Sequence, residues 1–313
     1  MTVARQSGSV RSSGDAGYRH ARYAEALAEF GTPVLLPRCG GWVLRRPVPH
    51  SSFSDATGCY PMFSCDRWDH VHEDLPELAR DLVSVTIVTD PFADVTLDYL
   101  RRAFETVLPF KQHFVVNLKD RESRPLGRHH RRYAARASRD LTIERCETPL
   151  DFLDEWLTLY DGLVRKHRLR GVRAFSRQSF ARQFDVPGLV MFRASRSDNT
   201  VGLHLWFEQG DIAYAHLGAT SDEGRALMAS YGLYAAALEW FTSRVTWLSL
   251  GGAAGTRDTP RDGLGDFKRG WATETRPVYV CGRILNPSAY ASLSRDSVDD
   301  GNYFPVYRRG EFE

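Results

Sequence analysis

At 313 residues with 42% hydrophobic and 12% aromatic side chains, the chain can bury one large core or two of ordinary size, which excludes a disordered polymer. Its formal charge is only +2, so no global field draws it to nucleic acid, although residues 119–145 are locally basic. No run of about 18 apolar residues occurs, which excludes a membrane-spanning helix.

Residues 1–17 carry Arg, Ser and Gly without an apolar run and read as a flexible tail, not a secretory signal. Residues 32–37 and 41–45 are predicted as short strands joined by a turn. Cys59, Cys65, His70 and His72 raise the question of a metal site. The cysteine spacing is not that of a zinc pair and no second pair follows, so no metal is expected. The five cysteines, Cys39, Cys59, Cys65, Cys146 and Cys281, lack framework spacing, which implies reduced thiols and a cytoplasmic location. Residues 82–88 are β-branched and apolar, as a central strand should be. Asp90-Pro91 ends that strand. Asp94 is then the expected cap of a helix with Val95, Leu100, Ala103, Phe104 and Val107 on one stripe, stopped by Pro109. A further strand is predicted over residues 113–118.

Residues 128–139 contain no Gly or Pro and read as helical. Arg128, Arg132, Arg136 and Arg139 fall on one face at i, i+4, i+8 and i+11, with Arg131 beside them. Along about 16 Å of helix this row matches the phosphate spacing of a nucleic-acid strand or an adenosine-phosphate tail; the plainer reading is a solvated face pairing with carboxylates. Thr148-Pro149-Leu150-Asp151 is a helix-start signal. Phe152, Leu153, Trp156, Tyr160, Leu163 and Val164 follow on one face, and Gly171 lies beyond the cationic end. A second helix is expected from Ser176, with Phe175 and Phe180 as its hydrophobic staple. Three strands are predicted at residues 189–194, 201–208 and 211–217, the last two joined by a Gln209-Gly210 turn. That turn places His204, Trp206 and Glu208 on a mixed face, where His204 or Glu208 could take a proton. His216 on the apolar face reads as a hydrogen-bonded core histidine. A helix over residues 229–244 carries Tyr231 and Tyr234 on what reads as a core stripe, and a strand over 245–250 follows.

The chain then runs Trp247-Leu-Ser-Leu-Gly-Gly-Ala-Ala-Gly255, a polar loop that could cover a site, and Phe267-Lys268-Arg269-Gly270-Trp271. Only four lysines occur (Lys111, Lys119, Lys166 and Lys268), so the Lys after Phe267 is not background in an arginine-rich chain. This stretch resembles the end of the Fem-type and related GNAT-fold acyltransferases, where a strand, a glycine bend and a Phe-Lys pair close the second of two acyltransferase-like domains. Phe110-Lys111-Gln112-His113-Phe114 followed by the Arg-rich helix resembles the join between those domains, and the order of predicted elements after residue 148 matches the GNAT plan. The resemblance spans roughly residues 80–285.

The resemblance implies an α/β (α+β) fold of tandem GNAT-like lobes, each a mixed, mostly antiparallel sheet flanked by helices. The expected divisions are residues 1–17, 18–125, 126–290 and a C-terminal extension, 291–313. It further implies amide-forming acyl transfer to an amine of a small molecule or peptide. The donor would be aminoacyl-tRNA, engaged at its acceptor end, or acyl-CoA, as co-substrate with no bound cofactor. Lys268 would stabilise the oxyanion and His204 or Glu208 would handle protons. Arg128, Arg131, Arg132, Arg136 and Arg139 would hold the donor, and Phe267, Gly251, Gly252 and Trp206 the substrate. The glycine loop that grips CoA pyrophosphate in GNATs is missing: residues 216–224 lie in its place without the pattern, which favours the Fem branch. An inert scaffold of the same fold that binds RNA or protein is the remaining reading.

Overall fold

Apolar alternation in the chain builds one continuous sheet. The computed structural model describes residues 16–120, 126–167, 171, 174–255, 263–295, 297 and 301–311. In chain order its strands are β1 Thr32–Leu36, β2 Gly41–Pro47, β3 Ser54–Gly58, β4 Ser84–Val88, β5 Thr106–Asn117, β6 Thr142–Cys146, β7 Leu189–Arg196, β8 Asn199–Gln209, β9 Ile212–Thr220, β10 Trp247–Gly251 and β11 Glu274–Ile284. They lie in the order β1-β2-β3-β4-β11-β5-β10-β9-β8-β7-β6. Among the described residues only the β3–β4 and β9–β10 pairs are parallel. The sheet is therefore mixed and mostly antiparallel, as the resemblance implies.

The helices are α1 Ala21–Ala26, α2 Val71–Leu78, α3 Leu97–Ala103, α4 Arg128–Asp140, α5 Leu153–His167, α6 Arg177–Phe184, α7 Asp222–Ala226, α8 Ala229–Phe241, α9 Gly263–Arg269 and α10 Pro287–Leu293. Leu203, Leu205 and Phe207 of β8 face a core shared with Trp156 and Tyr160 of α5 and Phe180 of α6. Trp206, on the other face of β8, enters a second core with Ala137 of α4 and Leu233, Tyr234 and Phe241 of α8. Both faces of this half of the sheet are thus covered by helices. Each large buried side chain contributes about 1.5–3 kcal/mol of hydrophobic stabilisation. A third core lies under α2 and α3, around Phe63, Trp68, Val85 and Phe104.

β5 joins the two halves. Its early residues pair with β11, its last four with β10, and Phe114 and Val115 with both. β11 itself was expected in the 126–290 segment, yet it lies between β4 and β5. An exchange runs the other way at the N-terminus. Gly17, expected in a tail, donates its N–H to Pro187 O at 2.8 Å, and the Tyr18 hydroxyl meets His216 Nδ1 at 3.0 Å. The C-terminal extension is tied back to β3, where Arg308 Nη2 donates to Asp55 Oδ1 at 2.9 Å.

Several local expectations are corrected. Thr96, not Asp94, caps α3: its Oγ1 accepts from Tyr99 N at 3.2 Å. Pro109 does not stop a helix but sits inside β5, opposite Tyr279, where the register breaks between Val278 and Tyr279. A bulge is a place where a strand tolerates proline's missing N–H. The β8–β9 turn is Gly210-Asp211, because Gln209 pairs with Ile212. Gln209 is held in the strand by burial: its Nε2 donates to Ser64 Oγ at 3.0 Å and its Oε1 accepts from Arg19 N at 3.2 Å. The expected staple of α6 forms, with Phe175 and Phe180 ring centroids 5.4 Å apart and Ser176 capping the helix. α1, α2, β3, β6, α7, α9 and α10 had no counterpart among the predicted elements.

Candidate functional site

β9 and β10 run parallel for only three register pairs, Trp247–Ile212, Leu248–Ala213 and Ser249–Tyr214. β9 then continues to Thr220, whereas β10 ends in a left-handed bend at Gly251 (φ +76°). The parallel strands therefore part at the sheet centre. Backbone N–H and C=O groups on this side of β9 have no strand partner beyond that point among the described residues.

α9 brings Lys268 to the parting. Phe267 and Lys268 both lie in the helix, one turn from the return into β11. Phe267 and Trp271, four apart, face α8: the Phe267 ring is 4.8 Å from those of Tyr231 and Tyr234, and Trp271 is buried beside Tyr234 at 5.7 Å. This packing aims Lys268 at the bend, where its ammonium donates to Gly252 O at 2.7 Å. A Cβ on Gly251 would lie 3.3 Å from Lys268 Nζ.

α4 locks α9 in place. His130 Nε2 donates to Phe267 O at 2.9 Å, which fixes its tautomer, because a carbonyl only accepts. A Cβ on Gly270 would lie 1.9 Å from His130 Cε1. Gly270→Ala should therefore destabilise the protein by about 1–3 kcal/mol through overpacking. Thermal melts check this, and adding His130→Ala should recover part of the loss. The same contact brings the first turn of the Arg-rich helix against the Phe-Lys helix.

His204 lies under the parting. Its Nδ1 accepts from Trp206 Nε1 at 3.1 Å, and its ring stacks on Tyr234 at 4.7 Å and 24°. It is cross-strand from Gly218, whose missing side chain leaves the imidazole uncovered from that strand; a Cβ there would sit 3.0 Å from His204 Cδ2. Burial first, then the Lys268 charge, pulls its pKa down to about 3. His204 is thus a neutral imidazole with its proton on Nε2, a hydrogen-bond donor and not a base. Glu208 lies four residues further along β8, about 13 Å away, beside the turn, where its N–H bonds Gly188 O. It is not brought to Lys268. Trp206 is fully buried and reaches the site only through His204. Tyr234 is core, as its stripe suggests, and also the floor between His204 and Phe267.

Three groups escaped sequence reasoning. Lys111 donates to Ala253 O at 2.6 Å and also to Gly255 O, tying down the glycine stretch. His113, two residues on, has a pKa lowered to about 3 by burial, then by Lys268 and Lys111. His130 is the third. The scarcity of lysine marked Lys268, and the same signal applied to Lys111.

The arginines of α4 are exposed, but not all are available. Arg136 donates to Ala226 O at 3.3 Å and faces Asp140 at 3.7 Å, and Arg139 pairs with Asp140 at 2.9 Å. Arg132 leans on Tyr133. Arg128, Arg131 and Arg132 enter no ion pair among the described residues. Part of the expected covering loop, residues 256–262, lies outside the described residues. Among the described residues no group of three His, Cys, Asp or Glu could hold a metal; His70 meets Glu73 at 2.9 Å and His72 meets Tyr99. No helix among them is long and apolar enough to cross a membrane. A groove of about 500 Å³ lies elsewhere, between α1 and α6, lined by Arg22, Glu25, Arg182 and Asp185.

No protein-family model matches the chain, and no curated protein matches its sequence. Solved structures do match. FemX superposes with a TM-score of 0.62 at 13% identity, over 87% of this chain and 93% of FemX. A C-terminal domain assigned to a lysylphosphatidylglycerol synthetase from Agrobacterium fabrum gives 0.60 at 17% identity, over 89% and 92%. L-PGS from Bacillus licheniformis gives 0.57 at 14%, over 90% and 98%. The chain therefore shares its fold with FemX and with these two synthetase structures. Within this shared fold the parted strands, the glycine bend and Lys268 occupy one place in the middle of the sheet.

Proposed function

We propose that the chain is an acyltransferase that moves an aminoacyl group from aminoacyl-tRNA to the amine of a small molecule or peptide, forming an amide. The observation that carries this reading is the Lys268 ammonium, held by Gly252 O where β9 and β10 part, with the neutral His204 imidazole beneath. A neutral amine attacks the ester carbonyl and forms the N–C bond. The carbonyl oxygen takes up negative charge, and Lys268, with His204 Nε2–H, stabilises it. Collapse breaks the bond to the ribose oxygen, which leaves with the proton given up by the amine. Neither His113 nor His204 can take that proton near neutral pH, since both titrate near 3. The leaving oxygen is therefore the proton acceptor, and positioning carries much of the rate.

Charge placement favours tRNA over acyl-CoA. The helix after β9, where a GNAT would hold pyrophosphate, is only five residues long and begins with Asp222 and Glu223. Two carboxylates already occupy the positive end of its dipole and would repel phosphates. Arg128, Arg131 and Arg132, in the first turns of α4, remain for the tRNA backbone. Binding of charged tRNA should fall steeply with salt, and each of Arg131→Glu and Arg132→Glu should reduce the logarithmic salt slope by about one. Filter binding across a salt series tests this. A salt-independent affinity, together with a melting-temperature rise on adding acetyl-CoA, would replace the tRNA reading with the CoA one.

A further inference from the structure

Lys111 and His113 are two residues apart on β5 and so project from the same face of the sheet. Both reach the glycine bend. A Cβ on Gly252 would lie 2.9 Å from Lys111 Cδ and 3.3 Å from His113 Cδ2, and one on Gly251 3.3 Å from Lys268 Nζ. Lacking side chains, the two glycines let the bend approach the three side chains from β5 and α9 closely. Arg276, cross-strand from His113, is committed elsewhere: it stacks over Phe92 and Trp247 and pairs with Glu274 at 2.9 Å.

His113 Nδ1 is buried and has no hydrogen-bond partner among the described residues. Leaving such a nitrogen unsatisfied is unfavourable, and a group that bonds it gains accordingly. The surroundings select that group. The two charges acting on the ring are the ammonium groups of Lys268 and Lys111, so a second cation is repelled. An anionic oxygen is attracted by both lysines and accepts the hydrogen of a neutral imidazole at Nδ1.

We propose that Lys111, His113 and Lys268 form an oxyanion-binding subsite at the Gly251–Gly252 bend, which takes a carboxylate or phosphate group of a substrate. This deepens the reading above and rests on it for the word substrate. Lys268 stands between the reacting carbonyl and the bound anion, so the anion orients the molecule that carries it. An acceptor with an acidic group close to its amine is the class that fits.

The test needs no turnover. The intact protein, labelled with nitrogen isotope in histidine, is titrated with sodium acetate and with inorganic phosphate at constant ionic strength. His113→Gln assigns the His113 ring signal. A saturable shift of that signal is expected with one of the two anions: acetate marks a carboxylate site, phosphate a phosphate site. Lys111→Met should weaken the half-saturation point by about tenfold or more, the loss of one charged hydrogen-bonding partner. Lys268→Gln should do the same, and it carries the comparison if Lys111→Met does not fold. A His113 signal that responds to neither anion overturns the proposal, as does a response that both lysine substitutions leave unchanged. Because binding is read directly, a failure here is separable from failure of the acyl-transfer reading, which turnover of the unmodified protein decides.

Discussion

Lys268→Ala should cut turnover by about 10²-fold or more while leaving the melting temperature close to that of the parent. The ammonium is placed by packing that it does not itself provide. Phe267 and Trp271 hold α9 against Tyr231 and Tyr234, and His130 holds the Phe267 carbonyl. Truncating Lys268 removes its bond to Gly252 O and leaves those contacts intact. What is lost is a donor aimed at the place where charge develops, and such a loss falls on the chemical step. Lys268→Arg should restore little, because a planar guanidinium is wider than an ammonium, and even a Cβ on Gly251 would approach within 3.3 Å of the present Nζ. Turnover by Lys268→Ala equal to the parent's would remove this residue from the mechanism.

The second large effect is acid instability. His113, His204 and His216 are each held near pKa 3, in every case with burial as the first cause, against an ordinary value of 6.5. Their folded pKa values are depressed, so the unfolded chain binds more protons wherever the two states differ. Above pH 6.5 all three are neutral in both states and contribute no slope. Below it, stability falls by up to about 1.4 kcal/mol per histidine per pH unit until the folded pKa is reached. Asp90 works the other way, since burial raises its carboxyl pKa, but it is one group against three. The melting temperature should therefore drop steeply between pH 6.5 and 5. His216 shows why: Tyr18 OH at its Nδ1 and Gln183 Oε1 at its Nε2 suit a neutral ring in an aromatic core. Replacing it with Gln should lower the slope by one proton. A melting temperature unchanged from pH 7 to pH 5 would show that these rings accept protons inside the fold.

Local pattern made much of the architecture legible. α5 and α6 follow from their start signals and apolar stripes, β7 to β9 from alternation, and the core role of His216 from the face it shares with Tyr214 and Phe207. The failures share one cause: tertiary partners override local signals. Pro109 reads as a helix stop until β11 supplies a bulge for it. Gln209 reads as a turn residue until Ser64 and Arg19 capture its side chain. Phe267-Lys268 carries no helix-start signal, yet it lies in α9, where Phe267 and, just past the helix end, Trp271 meet the aromatic wall of α8. The site was half legible. Lys268 and the glycine bend were marked by rarity and spacing, and the Arg-rich helix by periodicity. Lys111 and His113 reach Lys268 only because β5 lies between β10 and β11, a non-local pairing that no short window contains.

The central claim is acyl transfer from charged tRNA to an amine at Lys268. Its most direct measurement follows the aminoacyl ester of a charged-tRNA pool, with and without a mixed pool of amine acceptors, and treats the products with hydroxylamine, which cleaves esters and spares amides. The account predicts acceptor-dependent loss of aminoacyl-tRNA and a hydroxylamine-resistant product, both lost in Lys268→Ala. Charged tRNA consumed no faster with acceptors than without, while the same acceptors release free thiol from acyl-CoA, would contradict it.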